Sequence, residues 1–273
     1  MKKLLPVLVS VFFSMNGFAQ HSLEKIWISD STELVNPESV LYDGKSKILY
    51  VSSIGEFGKD GVGFISKVGL DGKVIKKDWV TGLTATKGLG LHKDILYAAE
   101  NSAVAVIDIK TGLITSRITI DGAQMLNDVT VDAKGVVYVS DSKTGKVHKI
   151  ENGKPSVYLE NLNGINGLLA VGKDLYILSD GGLKKAEGDK KVTKIVEGLE
   201  GGADGIEMVT KNEFLTTGWE GTIYYVKTDG SKQLLSDTRE KKINAADLGY
   251  DASAKILYIP RMTSHSVIAY KLK

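Results

Sequence analysis

The sequence predicts an all-β fold: a six-bladed β-propeller of four-stranded blades in which the N-terminal strand closes the last blade. Three observations support this prediction. A strand-like segment of one type recurs six times, X-Gly pairs lie between alternating apolar and polar segments, and an orphan strand at the start matches an incomplete unit at the end. After the first nineteen residues, no long stretch keeps the 3.6-residue apolar period of an amphipathic helix.

The recurring segment has the form Leu-Tyr followed by an apolar residue. Between its six copies, counted from position 49, the steps are 47, 41, 38, 38 and 44 residues. β-branched and aromatic residues in alternating patterns are typical of strands, and a period near 40 residues is typical of propeller blades, whereas a solenoid has a shorter one. The copies are "ILYVSS" (48–53), "ILYAAE" (95–100), "VVYVSD" (136–141), "DLYILSD" (174–180), "EFLTTG" (213–218) and "ILYIPR" (256–261).

Four X-Gly pairs lie between strand-like segments and predict hairpin turns, because glycine adopts positive φ without strain. They are Asp71-Gly72, Thr111-Gly112, Asn152-Gly153 and Asp229-Gly230.

The two ends of the chain complete each other in this scheme. "EKIWIS" (24–29) has no partner near it in sequence, and the last unit ends at "SVIAYKLK" without a fourth strand. We therefore predict that the N-terminal strand completes the last blade. The predicted blades span residues 36–80, 81–121, 122–160, 161–198, 199–237 and 238–273 with 22–30.

Residues 1–19 have the pattern of a secretory signal peptide. Two lysines precede an apolar run, and Gly17 and Ala19 are the small residues expected before a cleavage site. We expect the mature chain to begin at Gln20, to form one domain over residues 20–273, and to lie in the periplasm or outside the cell.

Composition excludes several classes of partner. The chain has no cysteine, and without Lys2 and Lys3 it carries equal numbers of basic and acidic residues. A balanced charge argues against nucleic acid or an anionic membrane surface as a partner.

Missing motifs argue against two further classes of protein. There is no G-x-S-x-G motif of an α/β-type serine hydrolase and no G-x-x-x-x-G-K-[ST] loop of a nucleotide-binding protein. A small molecule is the expected partner, and a monomer is the expected state.

Aligning the six units identifies polar residues at the start of the innermost strand, where they are expected to face one end of the central channel. The first position is occupied by Glu38, Lys87, Asn127, Asn166, Asp204 and Ala246. The second position is occupied by Ser39, Gly88, Asp128, Gly167, Gly205 and Asp247.

Two carboxylates and an amide at the first position, Glu38, Asp204 and Asn166, suggest a site for one hard divalent cation. Ca²⁺ is the favoured ion, with Mg²⁺, Mn²⁺ or Zn²⁺ as alternatives. Taken singly, Asn-Gly and Asp-Gly pairs are also typical of turns, and the shared register favours the metal site over that alternative. The four histidines have no metal-ligand spacing.

At these residues the sequence resembles the gluconolactonase/regucalcin (senescence marker protein) family of six-bladed propellers. The resemblance covers nearly all of the mature chain and is carried by four short motifs in the family order. They are "PESVLYDGKSKILYVSS" with Glu38, "LNDVTVDAKGVVYVSD" with Asn127, "INGLLAVGKDLYILSD" with Asn166 and "ADGIEM" with Asp204.

The resemblance implies metal-dependent hydrolysis of a lactone or a related ester. It makes Glu38, Asn166 and Asp204 the metal ligands, with Asp204 also catalytic. Asn127 would contact substrate or metal-bound water. Further candidate substrate-binding residues are Lys87, Asp128, Trp219 and Arg261.

Two departures from the family pattern leave a second function class open. Met125 stands where the family often has an arginine that holds a sugar acid, and Lys87 adds a cation to the predicted ring. Arg261 is a candidate replacement for that arginine. The alternative is a non-catalytic, NHL-like propeller that binds a small ligand or a protein partner, with any cation structural.

Overall fold

The computed structural model describes residues 20–273 and contains six four-stranded antiparallel sheets. The predicted signal peptide, residues 1–19, lies outside the described residues. In five sheets the strand order follows the chain, and in the sixth it is β1-β24-β23-β22. The predicted six-bladed propeller and its closure by the N-terminal strand are therefore confirmed.

The strands are named in chain order and grouped by blade. The N-terminal strand is β1 (Leu23–Ile28). Blade 1 contains β2 (Pro37–Asp43), β3 (Ile48–Ser53), β4 (Gly63–Gly69) and β5 (Val74–Leu83). Blade 2 contains β6 (Leu89–His92), β7 (Ile95–Ala99), β8 (Ala103–Asp108) and β9 (Leu113–Thr119). Blade 3 contains β10 (Leu126–Val131), β11 (Val137–Asp141), β12 (Lys146–Glu151) and β13 (Lys154–Leu159).

The second half of the ring has the same plan. Blade 4 contains β14 (Leu168–Val171), β15 (Asp174–Ser179), β16 (Gly182–Ala186) and β17 (Val192–Val196). Blade 5 contains β18 (Ala203–Thr210), β19 (Glu213–Gly218), β20 (Thr222–Lys227) and β21 (Lys232–Asp237). Blade 6 contains β22 (Gly249–Asp251), β23 (Ile256–Arg261), β24 (Ser266–Leu272) and β1. Single 3₁₀ turns lie at Arg239–Lys241 and Met262–Ser264, and no helix within residues 20–273 is long and apolar enough to cross a membrane.

The predicted blade limits enclose the observed strands with one exception. Blade 1 was expected to end at residue 80, whereas β5 continues to Leu83, which pairs with Gly63 and is fully buried. Irregular pairing along β4 and β5 lengthens this outer strand. The four predicted hairpin glycines at positions 72, 112, 153 and 230 all have positive φ, as expected for their turns.

The recurrent Leu-Tyr motif is explained by packing. Its first residue is almost completely buried in every blade, in apolar clusters that include Leu96 with Tyr50 of the preceding blade and Leu257 with Leu215 of the preceding blade. Each blade therefore buries its face against its neighbours, which is the reason that the repeat is needed for a stable core. The six buried residues are Leu49, Leu96, Val137, Leu175, Phe214 and Leu257; in blade 5 the buried residue lies one position after Glu213, from which the repeat was counted.

Ring closure depends on β1 and on one aromatic contact with the next blade. The strand pairs antiparallel with β24 from Leu23 to Ile28, and the Trp27 indole N–H donates to the Leu70 carbonyl of blade 1 at 2.8 Å. The indole lies directly over Gly72, where a Cβ atom would be 2.6 Å from the ring. Trp27 thus joins blade 6 to blade 1.

We predict that Trp27→Ala lowers the melting temperature by several degrees, because it removes this packing and the hydrogen bond; loss of a large aromatic contact costs about 3 kcal/mol when well buried. Ile26→Ala, at an exposed position of the same strand, is the matched control and should stay within about 0.5 kcal/mol of wild type. Thermal unfolding followed by circular dichroism measures both. Equal melting temperatures for the two variants would contradict this role for Trp27.

Candidate functional site

The first-position residues lie where expected, at the start of the inner strands. Glu38 and Asp204 lie within β2 and β18 and are only 5% and 3% exposed. Asn127 is buried in β10, and Lys87 and Asn166 are half-buried just before β6 and β14. The Asn166 side-chain amide donates to Asp204 Oδ1 at 3.0 Å, so the structure brings these two predicted ligands together.

A β-bulge sets the direction of the side chains in blades 1, 3 and 5. Pairing with the second strand shifts at Glu38, at Asn127 and at Asp204, so that two residues of the inner strand oppose one residue of its partner. In a regular strand consecutive side chains point to opposite faces. A bulge re-aims a side chain, and here it occurs at Glu38, Asn127 and Asp204, three of the predicted site residues.

Burial makes the ionised form of the Glu38 carboxyl unfavourable. Burial raises its pKa to about 8; the nearby Lys87 ammonium opposes this shift and the Asp247 carboxylate adds to it. Its Oε2 atom is buried and has no hydrogen-bond partner among residues 20–273. An unpaired buried carboxylate oxygen is the kind of atom that a cation or a substrate donor stabilises.

Lys87 is the cation that interacts electrostatically with this carboxyl. Burial lowers the pKa of the Lys87 ammonium, and Glu38 opposes the shift. Its Nζ atom donates to the Ala85 carbonyl at 3.1 Å, a contact within its own loop. The ammonium is therefore held beside the first-position ring.

Asp204 is surrounded by other carboxyl groups. Burial raises its pKa well above the usual range, and the charges of Glu38, Asp247 and Asp128 raise it further, while the Asn166 hydrogen bond lowers it. These groups lie near enough to repel one another, and a bound cation would relieve that repulsion.

The two carboxyls of the second position join neighbouring blades. Asp128 accepts the backbone N–H of Leu168 in blade 4 at 2.6 Å and that of Val129 at 2.6 Å. The Ser39 hydroxyl of blade 1 donates to Asp247 at 2.5 Å. Asp128, a predicted substrate-binding residue, therefore has hydrogen bonds to both oxygens from within the protein. Its visible contribution is to hold blades 3 and 4 together.

Glycine at the second position allows the inner strands to approach closely. A Cβ atom at Gly205 would lie 2.3 Å from Asp247 Oδ1, and one at Gly167 would lie 2.3 Å from the Asp204 carbonyl oxygen. Neither contact is tolerable, so a larger residue would push the blades apart. The glycine after Asp204 thus makes room for the next blade's carboxyl group.

The channel also contains a cavity, of about 290 Å³, on the far side of this ring. Residues of all six blades line it, and of the residues at the first two positions Asp128 and Asp247 contribute. Glu207 faces the same cavity, and burial, followed by the charge of Asp247, raises its pKa to about 8. Sequence reasoning did not identify Glu207, whose only signal is a charge between the apolar residues Ile206 and Met208.

The remaining predicted substrate-binding residues lie in loops at strand ends. Trp219 is partly exposed between β19 and β20, and its backbone N–H donates to the Gly202 carbonyl, two residues before Asp204. Arg261 lines a groove of about 150 Å³ between blades 5 and 6, together with Tyr270. That groove is separate from the channel cavity.

The Met125 loop is held by a buried aspartate. Asp141 accepts the backbone N–H groups of Gln124 and Met125 at 3.0 and 3.1 Å. Burial alone would raise the Asp141 pKa, yet these hydrogen bonds outweigh burial and lower it. Asp141 therefore stays ionised as a structural anchor for the loop that leads to Asn127.

The donor set decides which cation would fit. No three His, Cys, Asp or Glu side chains within residues 20–273 are grouped so as to hold a metal ion. Glu38 and Asp204 would need the Asn166 amide, whose nitrogen is engaged with Asp204 and whose oxygen remains for a cation, together with water or substrate oxygens. Ca²⁺ and Mg²⁺ accept such ligands, whereas zinc prefers His and Cys. The residues fit a hard cation.

Comparison with solved structures shows the fold. A gluconolactonase from Xanthomonas campestris superposes with a TM-score of 0.69 at 15% identity, over 88% of this chain and 87% of that one. The chain has a gluconolactonase-like propeller fold. A streptogramin B lyase gives 0.68 at 11% identity over 93% and 98%, and a chain of a nidogen/laminin complex gives 0.64 at 14% over 78% and 84%. Neither the protein-family models nor the curated proteins gave a match.

These comparisons confirm the predicted resemblance at the level of the fold. At sequence identities of 11 to 15%, the comparison supports a similar fold only. The matched structures are a gluconolactonase, a lyase and a chain of a protein complex, so the fold alone does not indicate one function. Function must therefore be argued from the site.

We predict that the metal-free protein loses stability as pH rises from about 5 to about 8. The pKa of Glu38 is raised in the folded state, so over this range the folded protein binds more protons than the unfolded chain. Glu38→Gln should flatten this dependence and raise the melting temperature at pH 8. Glu220→Gln, at an exposed loop position, is the control. A Glu38→Gln profile parallel to wild type would contradict the assignment.

Proposed function

We propose that the protein is a metal-dependent hydrolase of a lactone or a related ester. One observation carries the proposal: Glu38 and Asp204, two buried carboxyls from different blades, lie near each other at one end of the channel, and a Glu38 oxygen has no partner among the described residues. Ionised carboxyls in such surroundings are costly unless a cation compensates them.

The residues divide into ligands and substrate-binding groups. Glu38, Asp204 and Asn166 would hold the cation, with Ca²⁺ favoured by the oxygen-only donor set. When bound, a divalent cation polarises a carbonyl oxygen and stabilises the negative charge that develops on it. Asp204 orients the attacking water and accepts its proton. The Asn127 amide nitrogen donates to the Ser142 hydroxyl at 3.2 Å, which leaves its oxygen to orient a substrate hydroxyl or that water.

Lys87 offers a contact for a substrate with an anionic group. A divalent cation would offset part of the negative charge of Glu38, Asp204, Asp128 and Asp247, and the Lys87 ammonium adds a positive charge beside Glu38. An anionic group on the substrate, and the carboxylate that ester hydrolysis produces, would complement that charge. Lys87 thus takes a role that the family gives to an arginine at the position of Met125.

We also propose that the protein acts in the periplasm or outside the cell. The support is the basic and apolar N-terminal sequence followed by small residues.

The test is turnover with and without metal. The chelator-treated protein, alone or loaded with Ca²⁺, Mg²⁺, Mn²⁺ or Zn²⁺, is assayed on aldonolactones, acyl lactones and aryl esters. The product mass is measured by mass spectrometry, because hydrolysis of a lactone adds the mass of one water, whereas ring-opening elimination leaves the mass unchanged. We expect metal-dependent addition of water. Failure on the whole panel would contradict the hydrolase proposal.

We predict that Asp204→Ala lowers kcat/KM at least about 100-fold and weakens ion binding, while the propeller remains folded. Asp229→Ala, which changes an exposed hairpin turn, is the matched control and should keep wild-type kinetics. Steady-state assays, titration calorimetry and circular dichroism measure the three properties. An Asp204→Ala protein that unfolds while keeping its ion content would support a purely structural role.

The second candidate is a non-catalytic propeller that binds a ligand or protein around a structural cation. Met125 and Lys87 favour it, since both depart from the lactonase pattern. A neighbour in a nidogen/laminin complex shows that similar folds occur in protein assemblies. Stoichiometric ion binding without turnover of any substrate would select this candidate.

A further inference from the structure

Three inner strands share a hydrogen bond that their sequence repeat does not reveal. In blades 1, 3 and 5 the backbone N–H of the second-position residue donates to a side-chain hydroxyl of the adjacent strand. The pairs are Ser39 with Ser52 at 3.0 Å, Asp128 with Ser140 at 2.9 Å, and Gly205 with Thr217 at 2.8 Å.

The other three blades have no hydroxyl at this place. Ala99, Leu178 and Pro260 occupy the corresponding positions of their second strands. In these blades the backbone carbonyl of that second-strand residue accepts the N–H of the first-position residue. The pairs are Lys87 with Ala99 at 3.0 Å, Asn166 with Leu178 at 3.0 Å, and Ala246 with Pro260 at 3.1 Å.

The hydroxyls lie at the bulges of blades 1, 3 and 5. Ser52, Ser140 and Thr217 are the residues that each oppose two residues of the inner strand. A bulge disrupts the backbone ladder, and a buried N–H that it displaces must find another acceptor. All three hydroxyl residues are buried and supply that acceptor.

We infer that Ser52, Ser140 and Thr217 are positioning residues for Glu38, Asn127 and Asp204, respectively. By accepting the displaced N–H, each hydroxyl stabilises the bulge that aims the preceding side chain at the channel. Without it, the bulge would contain a buried, unpaired N–H, and the site residue would lose its direction. For metal binding and catalysis, this inference rests on the function proposed above.

The chain supplies its own controls. Thr216 and Ser53 are also buried, and their hydroxyls have no hydrogen-bond partner among residues 20–273. Thr216 is adjacent to Thr217, and Ser53 is adjacent to Ser52. The variants Thr217→Val and Thr216→Val therefore remove the same atom from neighbouring buried positions, and only the first removes an acceptor.

The first test is Mn²⁺ titration by calorimetry of wild type, Thr217→Val, Thr217→Ser and Thr216→Val. We expect Thr217→Val to weaken Mn²⁺ affinity about 10- to 100-fold, as loss of a hydrogen bond that orients a ligand does. Thr217→Ser keeps the hydroxyl and should bind within about twofold of wild type, as should Thr216→Val. Wild-type affinity in Thr217→Val, or an equal loss in Thr216→Val, would overturn the inference.

The second test does not depend on a metal. Crystal structures of Thr217→Val and Thr216→Val should show the bulge at Asp204 lost or its side chain redirected in the first variant only. An unchanged bulge and Asp204 side chain in Thr217→Val would overturn the inference. If wild type binds no divalent ion, the metal-dependent function fails, and this comparison still decides whether the hydroxyl positions Asp204.

Discussion

Convergence of six inner strands on one axis is the constraint on which the rest of this structure depends. It places Glu38, Asp204, Asp128 and Asp247 within electrostatic range of one another while burying three of them. Glycines at the second position allow the close approach. Ser39 donates a hydrogen bond to the Asp247 carboxyl, and the Leu168 backbone N–H donates one to the Asp128 carboxyl. Glu38 has an oxygen without a hydrogen-bond partner among the described residues, and Asp204 is repelled by the neighbouring carboxyls, which is why we propose a cation beside them.

The stretch "GGADGIEM" illustrates how this constraint changes a local interpretation. Asp204 lies inside β18 rather than in a turn, and only Gly201 and Gly202 before it have positive φ. The glycine after it has ordinary φ and is small because the next blade's Asp247 passes there. One short segment thus provides a turn, a bulge, a candidate ligand and a close approach between blades.

Much of the fold could be predicted because each blade buries the same position of the same strand, and that demand recurs as Leu-Tyr in the sequence. The first-position residues followed from register. The bulges did not, since a bulge breaks the two-residue period on which strand patterns depend, and Thr217 looks like any strand threonine. Contacts between blades, such as that of Asp128 with Leu168, depend on which blade faces meet. So does the groove that contains Arg261. The patterns of a single sequence do not reveal which faces meet.

The most direct measurement is anomalous diffraction from crystals of the protein soaked in Mn²⁺, with the ion located in an anomalous difference map. The account predicts one strong peak about 2.0–2.6 Å from side-chain oxygens of Glu38, Asn166 and Asp204. A peak in the cavity lined by Asp128, Asp247 and Glu207, or no peak near the axis, would contradict it.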